Sequence, residues 1–252
     1  MRNPPFKCLF CTNTAGPFER IEHTVPESLG NDDTFLPPGF VCDPCNQYFG
    51  AKVEQPILAS ALFSIERVAA SVRTKRGRYP SFTGSDVKFY PSGSWGHLLF
   101  VSTRDWPNRT FKGGKGYIFT DQARGLASLM ARFMLKMGLE FLVLSEGDDP
   151  FAPIYDNARC FARFGKHKRH WEVAYGIYPR RSDLLIERRD EGGTEIHQLY
   201  DAELGVMSNG DRIFWFGYIN HCFACNLSGP KLDAYLEGFD QLNEFQMKVV
   251  RW

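Results

Sequence analysis

The chain has 252 residues, 43% apolar and 23% charged, with 30 basic side chains against 29 acidic ones and a formal charge of +1. This balance excludes a largely disordered protein and a uniformly basic nucleic-acid coat, while leaving room for a local basic surface. No stretch approaches a membrane span, and Met1-Arg-Asn-Pro-Pro-Phe lacks the apolar run of a secretory signal. The expected compartment is therefore cytoplasmic and reducing, with no membrane partner, and there paired cysteines are metal ligands more often than disulfides. The length suits one generous domain or a small module joined to a medium one, and 22 phenylalanines predict an aromatic-rich core.

Two C-x2-C pairs, Cys8/Cys11 and Cys42/Cys45, open the chain. Each predicts a tight turn, and together they supply the four thiolates of a tetrahedral structural zinc, with no open position for water. A small module buries too little apolar surface to be secure alone, so the ion supplies much of its folding energy. Between the pairs, Ile21 to Pro26 reads as a strand ended by proline. Regular pleating would send Glu22 and His23 to opposite faces. Turn residues from Ser28 to Asp33 follow, then a second strand at Phe40-Val41.

After Cys45 the pattern turns helical, with Asn46, Gly50 and Glu54 at i, i+4 and i+8 close to one face. Gly50 costs about 1 kcal/mol in a helix interior and would let a phosphate backbone approach. Pro56 suits the first turn of a further helix, which runs to about Arg73 and carries Ile57, Leu58, Leu62, Ile65 and Val68 at amphipathic spacing.

A zinc-stapled frame that presents a carboxylate, an imidazole and a carboxamide is equipment for metal-assisted phosphodiester cleavage. The order Cys8-x2-Cys11, Glu22-His23, Cys42-x2-Cys45-Asn46 resembles the HNH endonucleases, the ββα-metal fold in its CxxC-stapled form. The resemblance is confined to the N-terminal module. It implies that Glu22 and His23 converge where the strand deforms, that His23 is the general base, and that Glu22 and Asn46 ligate a catalytic Mg²⁺ or Mn²⁺. Many members carry aspartate where this chain has the longer Glu22. Glu54 stands near the last histidine or asparagine of the family triplet, as a third ligand or as a solvated carboxylate. Imidazole suits the base role, because its unperturbed pKa near 6.5 leaves it mostly neutral at physiological pH. Taken singly, each residue has an ordinary alternative: His23 a strand histidine, Asn46 a helix cap, Lys52 a surface lysine instead of a phosphate contact.

The stretch Arg73-Thr-Lys75-Arg76-Gly-Arg78 reads as a basic hinge or as a sequence-independent phosphate contact. Beyond it, strands are predicted at 87–90 and 97–102, turns around 108–116, and a short strand at 117–119. A helix capped by Thr120 runs to about Leu139, with an apolar stripe of Leu126, Leu129, Met130, Phe133, Met134 and Met137. Alternating patterns at 171–178, 184–187, 195–200 and 212–219, hairpin signals at Glu191-Gly-Gly and Ser208-Asn-Gly-Asp, a helix at 232–242 and a strand at 245–250 complete the pattern. Cys222-x2-Cys225-Asn226 echoes the first module without a partner pair. Cys160 with His197 or His221 would complete a site, but buried or free thiols are the favoured reading. Lys166-His-Lys-Arg-His170 is a basic knot that either grips phosphate or is surface charge.

The expected architecture is α+β: an HNH module over 1–75 and a larger mixed α+β domain over 76–252, for substrate selection or homodimerisation. The leading expectation is a metal-dependent endonuclease acting on nucleic acid, DNA foremost. The alternative is a non-catalytic zinc-stapled nucleic-acid-binding or regulatory protein.

Overall fold

The computed structural model describes residues 5–31, 33–71, 78, 80–84, 87–91, 98–102, 126–166, 170–177, 187–189, 195–197, 199–239 and 248–249. Strand β1 (Glu22–His23) pairs antiparallel with β2 (Phe35–Leu36), in register Glu22↔Leu36 and His23↔Phe35. The second strand thus precedes the expected Phe40-Val41. Those two residues are buried in irregular backbone that runs straight into the next helix, and the Phe40 carbonyl accepts from Leu9 N at 2.7 Å.

Asn31 closes the β1–β2 loop. Its Nδ2 donates to the carbonyls of Val25 and Thr34 at 2.6 and 2.7 Å, and its Oδ1 accepts from Thr34 N at 2.8 Å. Gly30 sits there at φ 89°, where a side chain would be strained and would meet Leu199.

Helix α1 (Asp43–Phe49) starts with Cys42 in the extended N-cap position and Pro44 in its first turn, where a missing N–H costs nothing. Asn46 therefore lies inside the helix instead of capping it. A π turn (Gly50–Glu54) follows, then α2 (Gln55–Leu58). The wide turn stands just ahead of Pro56, whose ring and absent N–H disfavour a regular α turn behind it. The single helix expected from Pro56 to Arg73 is broken at Ala59–Ser60. Ser60 is extended at the N-cap position of α3 (Ala61–Ala69), and its hydroxyl donates back to Ile57 O at 2.6 Å instead of to the helix.

Strands β3 (Phe82–Thr83), β4 (Val87–Pro91) and β5 (Leu98–Ser102) form an antiparallel sheet in which Phe82 and Phe89 pack on Val68. Helix α4 (Leu126–Leu144) carries the predicted stripe and extends beyond Leu139; the expected cap Thr120, the turns at 108–116 and the strand at 117–119 lie outside the described residues. Helix α5 (Asp156–Phe164) precedes β6 (Ala174–Ile177), β7 (Glu187–Arg189), β8 (Glu195–His197), β9 (Tyr200–Val206), β10 (Arg212–Tyr218), β11 (His221–Asn226), α6 (Asp233–Phe239) and β12 (Lys248–Val249). The main sheet has the order β12-β6-β11-β10-β9, antiparallel throughout, and β7 pairs with β8.

Two of these strands are poorly signalled by sequence. β9 is a half-exposed edge strand rich in polar residues, and β11 is nearly all buried and so lacks alternation. Helix α4 lies on this sheet with Gly138 against Phe214 and Leu227, where a Cβ would come within 2.8 Å of Phe214. One apolar cluster joins the N-terminal module to this layer. In it, the Phe63 ring of α3 lies 5.9 Å from both Phe133 and Phe223. Among the described residues no helix is long and apolar enough to cross a membrane.

Candidate nuclease site

The four N-terminal cysteines converge, with all their sulfurs within 4.8 Å of one another. The turn at 8–11 is closed by Thr12 N donating to Cys8 O at 2.9 Å, and Cys42 and Cys45 occupy the first turn of α1. Cys11 and Cys42 Sγ lie 3.7 Å apart. A tetrahedral zinc with Zn–S of about 2.3 Å places its sulfurs about 3.8 Å apart, so the donor set fits that ion. Hydrogen bonding with Cys45 holds the Cys8 thiol down at about 4 against the opposing effect of burial, and burial pushes Cys42 up to about 12.

An outer layer supports the cluster. Arg163 Nε of α5 donates to Cys45 Sγ at 3.3 Å, and its guanidinium stacks 3.6 Å from the Tyr48 ring centroid. Arg132 of α4 donates to Tyr48 Oη at 2.6 Å. Among the described residues no second cysteine-containing metal cluster forms. Cys222 and Cys225 are buried in β11, Cys160 is exposed, and His221 is engaged by Glu66 at 3.0 Å and Tyr175 at 2.8 Å.

A cavity of about 810 Å³ lies beside this frame, and Glu22, His23, Asn46, Gly50 and Glu54 all line it. β1 is only two residues long, and both of its residues, Glu22 and His23, line the cavity. Nothing lies within 4 Å of where a Gly50 Cβ would stand, so that wall is open. Asn46 Nδ2 donates to Ile21 O at 3.1 Å, tying α1 to the residue just before β1. His23 Nδ1 and Glu22 Oε2 are buried with no hydrogen-bond partner among the described residues.

Beneath the cavity stands a group that sequence reasoning missed. Lys136 of α4, fully buried, places Nζ 2.6 Å from Glu22 Oε1, 2.9 Å from Glu54 Oε1 and 3.0 Å from Glu140 Oε2. The same ammonium donates to His23 O at 2.8 Å. Burial alone would lower the Lys136 pKa, but Glu140, Glu22 and Glu54 together hold it well above its ordinary value. Burial raises Glu22, and raises Glu140 strongly, against the opposing pull of Lys136. The available signal was an i, i+4 Lys–Glu pair inside an otherwise apolar stretch of helix.

Residues 8–62 match the HNH endonuclease family. The matched span holds all four cysteines and Glu22, His23, Asn46 and Glu54. Neither the curated proteins nor the solved structures yield a match to the chain. Within the matched span, Glu22 and Asn46 carry carboxylate and amide oxygens, the hard donor type that Mg²⁺ and Mn²⁺ prefer. Lys52 is exposed on the π turn. Of the basic hinge, Arg73, Lys75 and Arg76 lie outside the described residues and Arg78 is exposed; the centre of the 166–170 knot also lies outside them.

Proposed function

We propose that this protein is a metal-dependent HNH endonuclease that hydrolyses phosphodiester bonds of nucleic acid, with DNA the foremost substrate. The observation that carries this reading is the convergence of Glu22, His23, Asn46, Gly50 and Glu54 on one cavity, within the span that matches the family. His23 takes a proton from the attacking water. Glu22 and Asn46 would hold the catalytic Mg²⁺ or Mn²⁺ through their side-chain oxygens, with Glu54 as a further ligand. When bound, that cation stabilises the charge that develops on the phosphate and on the departing 3′-oxygen. Lys136 holds Glu22 and the His23 backbone in place from below. The products carry 5′-phosphate and 3′-hydroxyl ends, as the family resemblance implies.

Cys8, Cys11, Cys42 and Cys45 hold a structural zinc that stabilises the frame and takes no part in chemistry. The larger domain, 76–252, selects substrate or forms a homodimer, and the protein acts in the cytoplasm. One observation favours the rival reading of a non-catalytic nucleic-acid-binding protein: the Lys136 ammonium already neutralises part of the charge on Glu22 and Glu54. Incubation with plasmid, single-stranded DNA and structured RNA, with and without Mg²⁺, separates the two. Mg²⁺-dependent cleavage supports the nuclease, and binding without cleavage supports the rival.

A further inference from the structure

Arg67, on α3, lines the same cavity as Glu22 and His23, yet the nuclease chemistry does not use it. Its Nε is buried and has no hydrogen-bond partner among the described residues. No acid among them compensates its charge: the neighbouring Glu66 carboxylate is turned to His221 Nε2 at 3.0 Å. The nearby Tyr218 hydroxyl is likewise buried with no hydrogen-bond partner among the described residues. Arg67 as a whole is half-buried, so a cation partly withdrawn from water stands at a cavity large enough to admit an anion.

The cavity is electrostatically uneven. The charges of Glu22 and Glu54 are met by Lys136, whereas Arg67 has no carboxylate partner among the described residues. Gly50 lines the same cavity, and its open position leaves room for a strand to approach. A planar guanidinium with a fork of donors matches the oxygens of a phosphodiester.

We propose that Arg67 binds a backbone phosphate of the nucleic-acid strand that enters this cavity, and so positions the strand across His23. The proposal rests on the nuclease reading for the identity of the polyanion, but the contact is one of binding and does not need cleavage.

The test measures binding of a fluorescent oligonucleotide in Mg²⁺-free buffer across a salt series, for the wild type, Arg67→Gln and Arg67→Lys. Arg67→Gln should weaken binding by about tenfold, the scale of one charged hydrogen-bonded contact. Its log–log salt dependence should flatten by roughly 0.7–0.9, the contribution of one phosphate, whereas Arg67→Lys keeps the slope. Zinc content and melting temperature report whether the variants are folded. In the wild-type protein, saturating oligonucleotide should also block modification of Arg67 by phenylglyoxal, read by mass spectrometry. Unchanged affinity and slope in folded Arg67→Gln, or undiminished Arg67 modification, would overturn the proposal even if the wild type cuts. Loss of binding in a protein that never cuts would instead overturn the nuclease reading and leave the Arg67 contact standing.

Discussion

Lys136 Nζ on α4 stands 2.6 Å from Glu22 Oε1 on β1, so a side chain from the second half of the sequence grips the acid beside the candidate general base. The contact is fully withdrawn from water on the lysine side, and the same ammonium serves Glu54, Glu140 and the His23 carbonyl. The HNH module is therefore held in shape by a helix outside the matched span.

Replacing Lys136 with methionine should destabilise the protein by about 3–5 kcal/mol, the scale for leaving a buried counter-charge unpaired. Urea denaturation measures this. The sign with pH follows from the raised Glu22 and Glu140. A raised carboxyl contributes stability that is fully present below its unfolded value and is lost as pH rises through its folded one. Removing the lysine raises both further, so the deficit of Lys136→Met should be larger at neutral pH than near pH 4.5, the ordinary glutamate value. Equal deficits at both would show that the cluster is not electrostatic in origin. Lys136→Met with Glu140→Gln should recover part of the loss.

Purified protein should contain about one zinc per chain, retained by the four converging thiols. Cys42→Ser, or stripping with a strong chelator, should remove it and lower the melting temperature of the whole chain, because the cysteines belong to the shared apolar cluster. Metal analysis of freshly purified, folded protein that found no zinc would defeat the assignment.

Arg163→Ala leaves all four thiols in place but removes the donor to Cys45 and the cation stacked on Tyr48. Outer-layer partners of this kind are worth about 10–100-fold in metal affinity. Zinc transfer to a chromophoric chelator should accordingly become at least tenfold more favourable, with Arg163→Lys intermediate. Identical transfer curves would limit Arg163 to a packing role.

His23→Ala should lower the cleavage rate by about 10²–10⁴-fold, the usual contribution of a positioned acid or base. Zinc content and nucleic-acid binding should stay near wild type, since the thiols and the basic side chains supply those. Glu22→Ala and Asn46→Ala should instead weaken Mn²⁺ binding in calorimetry. Wild-type cleavage by His23→Ala would remove His23 from the mechanism.

The local chemistry of this protein was legible in the chain itself, because its signals are short-range. C-x2-C turns bring two sulfurs together by backbone geometry alone, whereas the helix start expected at Pro56 is a continuation, because Glu54 and Gln55 ahead of it are already helical. The stripe of α4 follows from its helical period. Asn46, Gly50 and Glu54 could be placed toward one side of a helix, although the intervening π turn could not be foreseen.

Tertiary structure decided what surrounds those groups. Lys136, Glu140 and Arg67 lie 45 or more positions from Glu22 along the chain and acquire meaning only when α4 meets Glu22 and α3 lines the same cavity. A lysine in a helical pattern reads as a solvated charge until folding surrounds it with carboxylates. Burial and long-range charge pairing depend on which surfaces meet, and no local periodicity encodes that.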